Sequence, residues 1–250
     1  MMLNEERYRR ILRLLQEKGI VKLQELCTML EASESTVRRD LQDLEERGQL
    51  RRVHGGAALP ALSGGLEPGM AEKSAANLPQ KQKIAEMASG LVRSGEAIYL
   101  DAGTTTLAMI PYLKGKSITV VTNGLPQVDA LLEADIPSYL LGGLAKKRTK
   151  ALVGSLALDN LGGFRFDRCF LGANGIHPGG GYTTPDPEEA ALKRRASELS
   201  SLTYVLADSS KIGHVAFSKI MELDKAALIA EQVPERWRKP IAEMTNLIGG

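Results

Sequence analysis

The sequence predicts an α/β protein made of a small, mostly helical N-terminal domain and a larger, doubly wound domain built on a mostly parallel sheet. Two observations indicate this organisation. The first stretch of the chain carries three helical apolar repeats, with a short turn before the last one. Beyond residue 76, short continuous apolar runs alternate with helical segments, which is the pattern of parallel strands covered on both faces.

The composition is that of an ordinary globular protein. Of the 250 residues 43% are hydrophobic and 25% charged, and the net charge is +2, a value compatible with a local basic patch for nucleic acid. The two cysteines, Cys27 and Cys169, lie among apolar residues, so we expect buried, inert thiols and no metal site. The charged start and the lack of long apolar runs predict a cytoplasmic protein with no membrane partner.

Three helices are predicted in the N-terminal part, over Arg7 to Lys18, Leu23 to Leu30 and Glu34 to Arg47. Between the first two, Ile20-Val21 is a short extended piece. Ser33 is suited to cap the third helix after a tight turn. A short turn before the last of three helices is typical of a helix-turn-helix.

The third helix has one apolar face and one polar face. Val37, Leu41 and Leu44 recur at helical spacing and are expected to point inward. The opposite side would enter the major groove of DNA, where arginine suits guanine. The candidate DNA-binding residues here are Ser33, Ser35, Thr36, Arg38, Arg39 and Gln42. The alternative is a solvated face whose arginines pair with acidic residues of the same helix.

Residues 49–57, Gln-Leu-Arg-Arg-Val-His-Gly-Gly-Ala, predict a basic hairpin directly after the third helix. A hairpin in this place is a wing, and Arg51, Arg52 and His54 are placed to contact backbone phosphate. A purely structural hairpin needs no such cluster of donors, so the sequence favours DNA binding.

A segment rich in proline, glycine and serine follows, from Leu59 to Met70. Its composition is that of a linker. We therefore divide the chain into a DNA-binding domain over 1–58, a linker over 59–75 and an effector domain over 76–250.

The second domain is predicted to contain six strands and five helices. The strands are Ala97–Asp101, Ile118–Thr122, Ser138–Leu141, Cys169–Leu171, Tyr204–Ala207 and Ala226–Ile229. The helices are Lys81–Val92, Leu107–Leu113, Leu125–Glu133, Ser155–Leu161 and Pro187–Ser200.

The segment Asp101 to Thr106 joins a buried strand to a helix and is the candidate phosphate-binding loop. Free backbone N–H groups and a helix N-terminus form an anion site, and three threonines add hydroxyl donors. The alternative is an ordinary turn in which Thr104 or Thr105 caps the helix.

Polar residues and glycines follow five of the predicted strands. Ligands of parallel sheets bind beyond the carboxyl ends of the strands, which predicts a site for a phosphorylated sugar or polyol. The alternative for each residue is a plain turn former. The candidates are Asp101, Gly103, Thr104, Thr105, Thr106, Asn123, Gly142, Gly143, Asn174, Asp208 and Lys211. The glycine-rich stretch His177 to Asp186 is either a lid over this site or a surface loop.

Both halves resemble the DeoR family of bacterial transcriptional regulators over nearly the whole chain. The segments that carry the resemblance include Ser35 to Leu41, His54 to Ala57, Asn77, Lys81, Leu100 to Thr106, Glu188 to Lys193 and Ala207 to Lys211. The resemblance implies a repressor that releases DNA when it binds a sugar phosphate, with an effector domain similar to ribose-5-phosphate isomerase and no cofactor. The chain departs from the family at Glu72-Lys73, where a Glu-Arg pair is common.

Two enzyme classes compete with this interpretation. An aldose–ketose isomerase on the same sheet needs a base beside the substrate, and Asp101, Asp208 or Glu188 are candidates, but no spacing singles one out as catalytic. A nucleotide-using kinase lacks its Gly-x-x-x-x-Gly-Lys-Ser/Thr loop here. A homo-oligomer is expected, because DNA readers of this type engage repeated half-sites.

Overall fold

The computed structural model describes residues 4–18, 20–46, 49–53, 55–58 and 69–250, and the chain divides into two compact units, Met1–Leu66 and Glu67–Gly250. The helices are α1 (Asn4–Lys18), α2 (Leu23–Leu30), α3 (Glu34–Glu46), α4 (Met70–Ala75), α5 (Leu78–Gly90), α6 (Thr104–Leu107), α7 (Ile110–Leu113), α8 (Leu125–Glu133), α9 (Ser155–Gly162), α10 (Pro187–Glu198) and α11 (Glu235–Ala242). The strands are β1 (Ile20–Lys22), β2 (Arg51–Val53), β3 (Gly56–Ala58), β4 (Ala97–Leu100), β5 (Thr119–Thr122), β6 (Ser138–Leu140), β7 (Leu144–Ala145), β8 (Leu152–Val153), β9 (Phe166–Gly172), β10 (Gly175–His177), β11 (Gly181–Thr184), β12 (Ser200–Leu206), β13 (Ser218–Met221), β14 (Ala227–Ile229) and β15 (Leu247–Ile248).

The smaller unit is a three-helix core closed by a small antiparallel sheet, which confirms the winged helix-turn-helix. Apolar side chains of α1, α2 and α3 pack together, among them Ile11, Leu15, Leu26, Val37, Leu41 and Leu44. The sheet has the strand order β1-β3-β2. The predicted extended piece forms β1, which adds an edge strand to the hairpin of β2 and β3. Gly56 is required at this crossing, since a Cβ there would lie 2.1 Å from the Val21 carbonyl oxygen.

Two side-chain contacts join α1 to α3. The Arg7 guanidinium donates to both carboxylate oxygens of Asp40, over 2.6 and 2.8 Å, and both side chains are buried. The Tyr8 hydroxyl donates to Asp43 over 2.6 Å. Two of the acidic residues that the alternative interpretation paired with the α3 arginines therefore hold α1 instead.

We expect Asp40→Ala to destabilise the smaller unit by about 3 kcal/mol, because it leaves a buried guanidinium without its carboxylate. Chemical denaturation of the full chain, followed by circular dichroism, measures this as an earlier transition of the smaller unit. Glu46→Ala is the matched control, since Glu46 is an exposed carboxylate of the same helix. Equal effects of the two substitutions would contradict a structural role for the Arg7–Asp40 pair.

The larger unit is built on a seven-stranded sheet in the order β15-β14-β12-β9-β4-β5-β6. Every neighbouring pair in it is parallel. Ile98 and Leu100 pack into one apolar cluster, with α5, α7 and α8, while Tyr99 between them packs into the other, with α9 and α10. The sheet is therefore covered on both faces, as the continuous apolar strands predict.

Several elements differ from the sequence-based expectation. The predicted helix Leu107–Leu113 begins earlier and is split into α6 and α7, because Pro111 lies in the first turn of α7 and cannot continue a helix from α6. The glycine-rich stretch is not a lid, since β11 is the central strand of an antiparallel sheet, β10-β11-β13, and its residues are buried. Within the described residues, no helix is long and apolar enough to cross a membrane.

Candidate nucleic-acid interface and ligand cavity

The polar face of α3 is open to solvent. Arg38, Arg39 and Gln42 are exposed, while Val37 and Leu41 are buried. The Ser33 hydroxyl accepts from the Thr36 backbone N–H over 3.3 Å and so caps the helix as predicted. Arg38 contacts Glu34 at 3.3 Å, a pair that is more than half exposed and therefore weak. Arg38 and Arg39, near the start of α3, are therefore available to bind a more strongly interacting partner.

A hydrogen bond from the wing backbone to a side chain of α3 joins these two elements. The Glu45 carboxylate accepts from the Arg52 backbone N–H over 2.7 Å, which fixes the start of β2 against the end of the helix. The Arg52 side chain is exposed. Arg51 opens β2, and His54 lies outside the described residues. The exposed α3 face and Arg52 are the described parts of the predicted DNA-binding surface.

A cavity of about 300 Å³ lies in the larger unit, beyond the carboxyl ends of β4, β9 and β12, and is the candidate ligand site. Helix α4, the start of α5 and residues of α10 complete its wall. The lining side chains that carry charge or a hydrogen-bonding group are Glu72, Lys73, Asn77, Lys81, Asp101, Thr104, Thr105, Thr149, Asn174, Glu189, Lys193, Asp208 and Lys211. Its volume suits a small phosphorylated metabolite.

Seven of the eleven candidate ligand residues line this cavity, namely Asp101, Gly103, Thr104, Thr105, Asn174, Asp208 and Lys211. The other four, Thr106, Asn123, Gly142 and Gly143, do not. The Thr106 hydroxyl is buried and donates to the carbonyl oxygens of Asp101 and Gly103. The Asn123 amide holds the turn, since its oxygen accepts from Tyr99 and from the Ala102 N–H over 3.0 Å.

Gly142 and Gly143 follow β6, which is the last strand of the sheet and lies two strands away from β4. They pack against α9, where the Gly142 N–H donates to the Asn160 side chain over 3.0 Å. Gly143 has a φ of +135°, and a Cβ there would lie 2.5 Å from the Val153 carbonyl oxygen. Gly142 and Gly143 therefore allow two segments of the chain to pass close to each other at the edge of the sheet.

Part of the predicted phosphate-binding loop has its backbone N–H groups already hydrogen-bonded. The Ala102 and Gly103 N–H groups are bonded within the turn, to Asn123, Asp101 and Thr106. The free donors are then the N–H groups of Thr104 and Thr105, the first two residues of α6, which have no partner in the described chain. Because α6 has four residues, N–H groups and hydroxyls rather than a long helix dipole provide the donors.

The cavity floor is held by a buried ion pair. The Lys193 ammonium donates to the Asp101 carboxylate, which also accepts from the Gly172 N–H over 2.9 Å. Asp101 thereby connects the ends of β4 and β9 with α10. Its charge is neutralised before any ligand arrives.

A second lysine supports the wall. Lys81 donates to the carbonyl oxygens of Lys73 and Ala76, so it holds α4 against α5. Burial lowers the pKa of the Lys81 ammonium, and the neighbouring Lys211 and Lys73 lower it further, while Asp208 raises it. An anionic ligand near these ammonium groups would relieve their repulsion.

The side chains of Asp208 and Lys211 differ in their hydrogen bonding. One Asp208 oxygen accepts from the Asn77 amide over 3.1 Å and from Ser210, which shapes the turn after β12. The Lys211 side chain, in contrast, has no hydrogen bond or ion pair to the residues that the structure describes, and only its backbone N–H is bonded, to the Asp208 carbonyl over 3.0 Å. It is half-buried at the cavity, so it can pair with an incoming anion.

Thr149 is a cavity residue that the strand-end argument missed. It lies in the connection between β7 and β8, and its hydroxyl is buried at the cavity with no hydrogen-bond partner in the described chain. A buried hydroxyl without a partner is destabilising by itself and fits a ligand contact. No local pattern marks Thr149, whereas Asn77, Lys81 and Lys193 fall in segments that carry the family resemblance.

Two family models match the chain. The DeoR-like helix-turn-helix domain matches residues 7–61, and the DeoR C terminal sensor domain matches residues 76–232. The chain belongs to the DeoR family. Each model coincides with one of the two units, so the smaller unit is a DNA-binding domain and the larger one a sensor domain.

Relatives of this DeoR-family chain match it over nearly all of its length. One named "uncharacterized HTH-type transcriptional regulator FruR", from Bacillus subtilis, is 50% identical over 94% of this chain and 93% of its own. The regulator GlpR of Haloferax volcanii is 37% identical over 91% and 89%. A lactose phosphotransferase system repressor of Staphylococcus epidermidis is 35% identical over 87% and 88%. The chain is a DNA-binding transcriptional regulator, and the enzyme alternatives fall away.

Solved structures overlap more loosely. A ribose 5-phosphate isomerase A from Methanocaldococcus jannaschii is 18% identical, covers 55% of each chain and has a TM-score of 0.41. The doubly wound parallel fold follows from the strand pairing itself.

Proposed function

We propose that this DeoR-family regulator represses an operon for sugar uptake or metabolism and releases its operator when a phosphorylated sugar fills the cavity. The observation that carries the proposal is the set of unused donors at one place. Lys211, Thr149 and the first two residues of α6 all line a cavity of about 300 Å³, and the Lys211 ammonium, the Thr149 hydroxyl and the Thr104 and Thr105 N–H groups lack partners among the described residues. The name of the lactose phosphotransferase system repressor supports a sugar operon.

The two ends of the ligand would bind different walls. A phosphate group suits the Thr104 and Thr105 N–H groups with Lys211, because charge-assisted hydrogen bonds are the strongest that such a group can form. Sugar hydroxyls suit Thr149 and Asn174, which present short polar side chains. The buried Lys193–Asp101 pair positions the strand ends and needs no direct role in binding.

Helix α4 is suited to carry the state of the cavity towards the DNA-binding domain. It is the first described element of the sensor unit, it contributes Met70, Glu72 and Lys73 to the cavity, and none of its residues is buried. The Met70 N–H donates to the Arg148 carbonyl over 2.9 Å, and Lys81 binds the C-terminal end of α4. A bound ligand would add contacts and so shift the population of α4 positions.

We propose further that the DNA-bound form is a homo-oligomer. A single small domain contacts one half-site, while two domains engage two half-sites about one helical turn apart. Covalent or non-covalent coupling of two such domains raises affinity without new contacts, provided that both can engage at once. Binding of two chains per operator, measured by sedimentation, tests this part of the proposal.

We expect Thr149→Val to weaken effector binding about tenfold while leaving the sensor unit equally or slightly more stable. The substitution keeps the shape of the side chain and removes a buried hydroxyl that has no protein partner in the described chain. Calorimetric titration with a panel of sugar phosphates measures the first effect, and thermal unfolding without ligand measures the second.

Thr119→Val is the matched control, because Thr119 is a half-buried threonine of β5 outside the cavity. If none of the sugar phosphates binds wild-type protein, the effector class is wrong. If one binds and Thr149→Val binds it as tightly as wild type, the assignment of Thr149 is wrong.

A further inference from the structure

The open edge of the seven-stranded sheet exposes four large apolar side chains, Tyr139 and Leu140 on its two faces with Leu144 and Leu156 near them in the chain, and we call this the β6 edge. Their exposed fractions are 57, 39, 65 and 57%. Soluble proteins seldom leave large apolar side chains together in this way, so such a patch marks an interface.

The patch is continuous with the core. The Tyr139 ring lies 5.5 Å from that of Phe164, which stacks at 6.2 Å on Phe166, which in turn lies 5.6 Å from the buried Tyr99. A Cβ on Gly142 would touch Leu156 at 3.5 Å, so α9 borders the end of β6 closely. An aromatic row therefore runs from the middle of the sheet to its exposed edge.

The backbone of β6 is also open on this side. It pairs with β5 alone among the described strands, through the Pro137 carbonyl and the Leu141 N–H, each over 2.9 Å. By alternation, the N–H and C=O groups of Ser138 and Leu140 point away from β5. Edge strands are normally protected by charge or by a bulge, but residues 136–145 contain no charged residue.

The charges that flank this uncharged run are of opposite sign. Glu133 and Asp135 precede it and are exposed, while Lys146 and Lys147 follow it, with Lys147 exposed. A twofold axis through the middle of β6 would place the acidic end of one copy at the basic end of the other. An edge that is self-complementary in charge, apolar contact and backbone pairing fits a second copy of the same chain.

We propose that the sensor unit dimerises through the β6 edge, by antiparallel pairing of β6 with β6 of a second chain around a twofold axis. This inference rests on the proposed homo-oligomer and names its surface. It would place two DNA-binding domains in one assembly. The cavity lies at the ends of β4, β9 and β12, so occupation of the two sites is compatible with this pairing.

The test is the mass of the full-length chain without DNA, by sedimentation velocity. Wild type is expected to be a dimer or an even multiple of it, and Tyr139→Asp with Leu140→Asp should raise the dimer dissociation constant at least about 30-fold. Leu202→Asp is the matched control, because Leu202 is a 50% exposed leucine at the start of β12. A monomeric wild type, or a dimer that the double variant leaves intact, would overturn the proposal.

A second pair of variants covers the case in which the double aspartate variant fails to fold. Asp135→Lys, on the surface, should weaken the dimer, and adding Lys147→Glu should restore it, because the pair of charges is exchanged across the axis. In a Cys27→Ser background, Tyr139→Cys should form a disulfide-linked dimer on mild oxidation, because residue 139 lies opposite its own copy across an axis through the middle of β6, whereas Leu202→Cys should not. Dimers that lack both responses would contradict β6 pairing, while ligand and DNA binding would remain open to their own tests.

Discussion

Replacing Arg38 and Arg39 with alanine is expected to weaken operator binding by a factor on the order of 10³ while the chain stays folded. A good arginine–guanine contact contributes about 1–3 kcal/mol of binding and discrimination, and two such losses add when the sites are independent. Both side chains are exposed, and Arg38 has only a weak contact to Glu34, so little stability depends on them. Fluorescence anisotropy on operator DNA at physiological salt measures the affinity.

The control removes the same charge elsewhere. Lys225→Ala with Lys239→Ala takes two exposed lysines from the sensor unit and lowers the net charge equally. We expect this variant to bind the operator with near wild-type affinity. Equal losses in the two double variants would mean that net charge rather than the α3 face sets the affinity, against the recognition role of α3.

Lys211→Ala is expected to weaken the effector about 10- to 100-fold and to leave operator binding by the ligand-free protein unchanged. Lys211 lines the cavity and, within the described chain, has no partner that it must leave in order to bind an anion. Hydrogen bonds to charged groups contribute about 1.5–3 kcal/mol, which is the origin of the expected factor. The effector concentration that releases half of the bound operator measures it.

Lys219→Ala is the matched control, since Lys219 is an exposed lysine eight residues further along and pairs with Glu222. A comparison with the unphosphorylated sugar sharpens the test. Lys211→Ala should abolish most of the preference for the phosphorylated ligand. A preserved preference would place the phosphate elsewhere in the cavity.

Local periodicity was sufficient to predict the three N-terminal helices and six strands of the seven-stranded sheet, but not α4, α11 or the short strands β7, β8, β10, β11 and β13. The third helix of the DNA-binding domain was predicted over Glu34–Arg47 and is found over Glu34–Glu46, because its apolar positions recur every three to four residues. The six predicted strands are all present, because each is a short, mostly apolar run. The two-residue β15 was missed, because it has no pattern of its own.

The order of the strands in the sheet was beyond local reasoning, and it decides which strand ends share a site. The ends of β4, β9 and β12 meet because these strands are neighbours, while β5 and β6 extend to one side. Gly142 and Gly143 therefore lie away from the cavity, although they follow a predicted strand as Gly103 does. Thr149 and α4 reach the cavity through connections that carry no periodic signal.

We expect one small ligand in the sensor cavity to control the affinity of the protein for its operator DNA. Fluorescence anisotropy of the full-length chain on the DNA upstream of its own gene, titrated with sugar phosphates and with the matching free sugars, tests it most directly. We predict tight, salt-sensitive binding that one phosphorylated sugar weakens at least tenfold and its unphosphorylated form does not. Operator affinity that stays the same at saturating concentrations of a sugar phosphate shown by calorimetry to bind the protein would contradict the account.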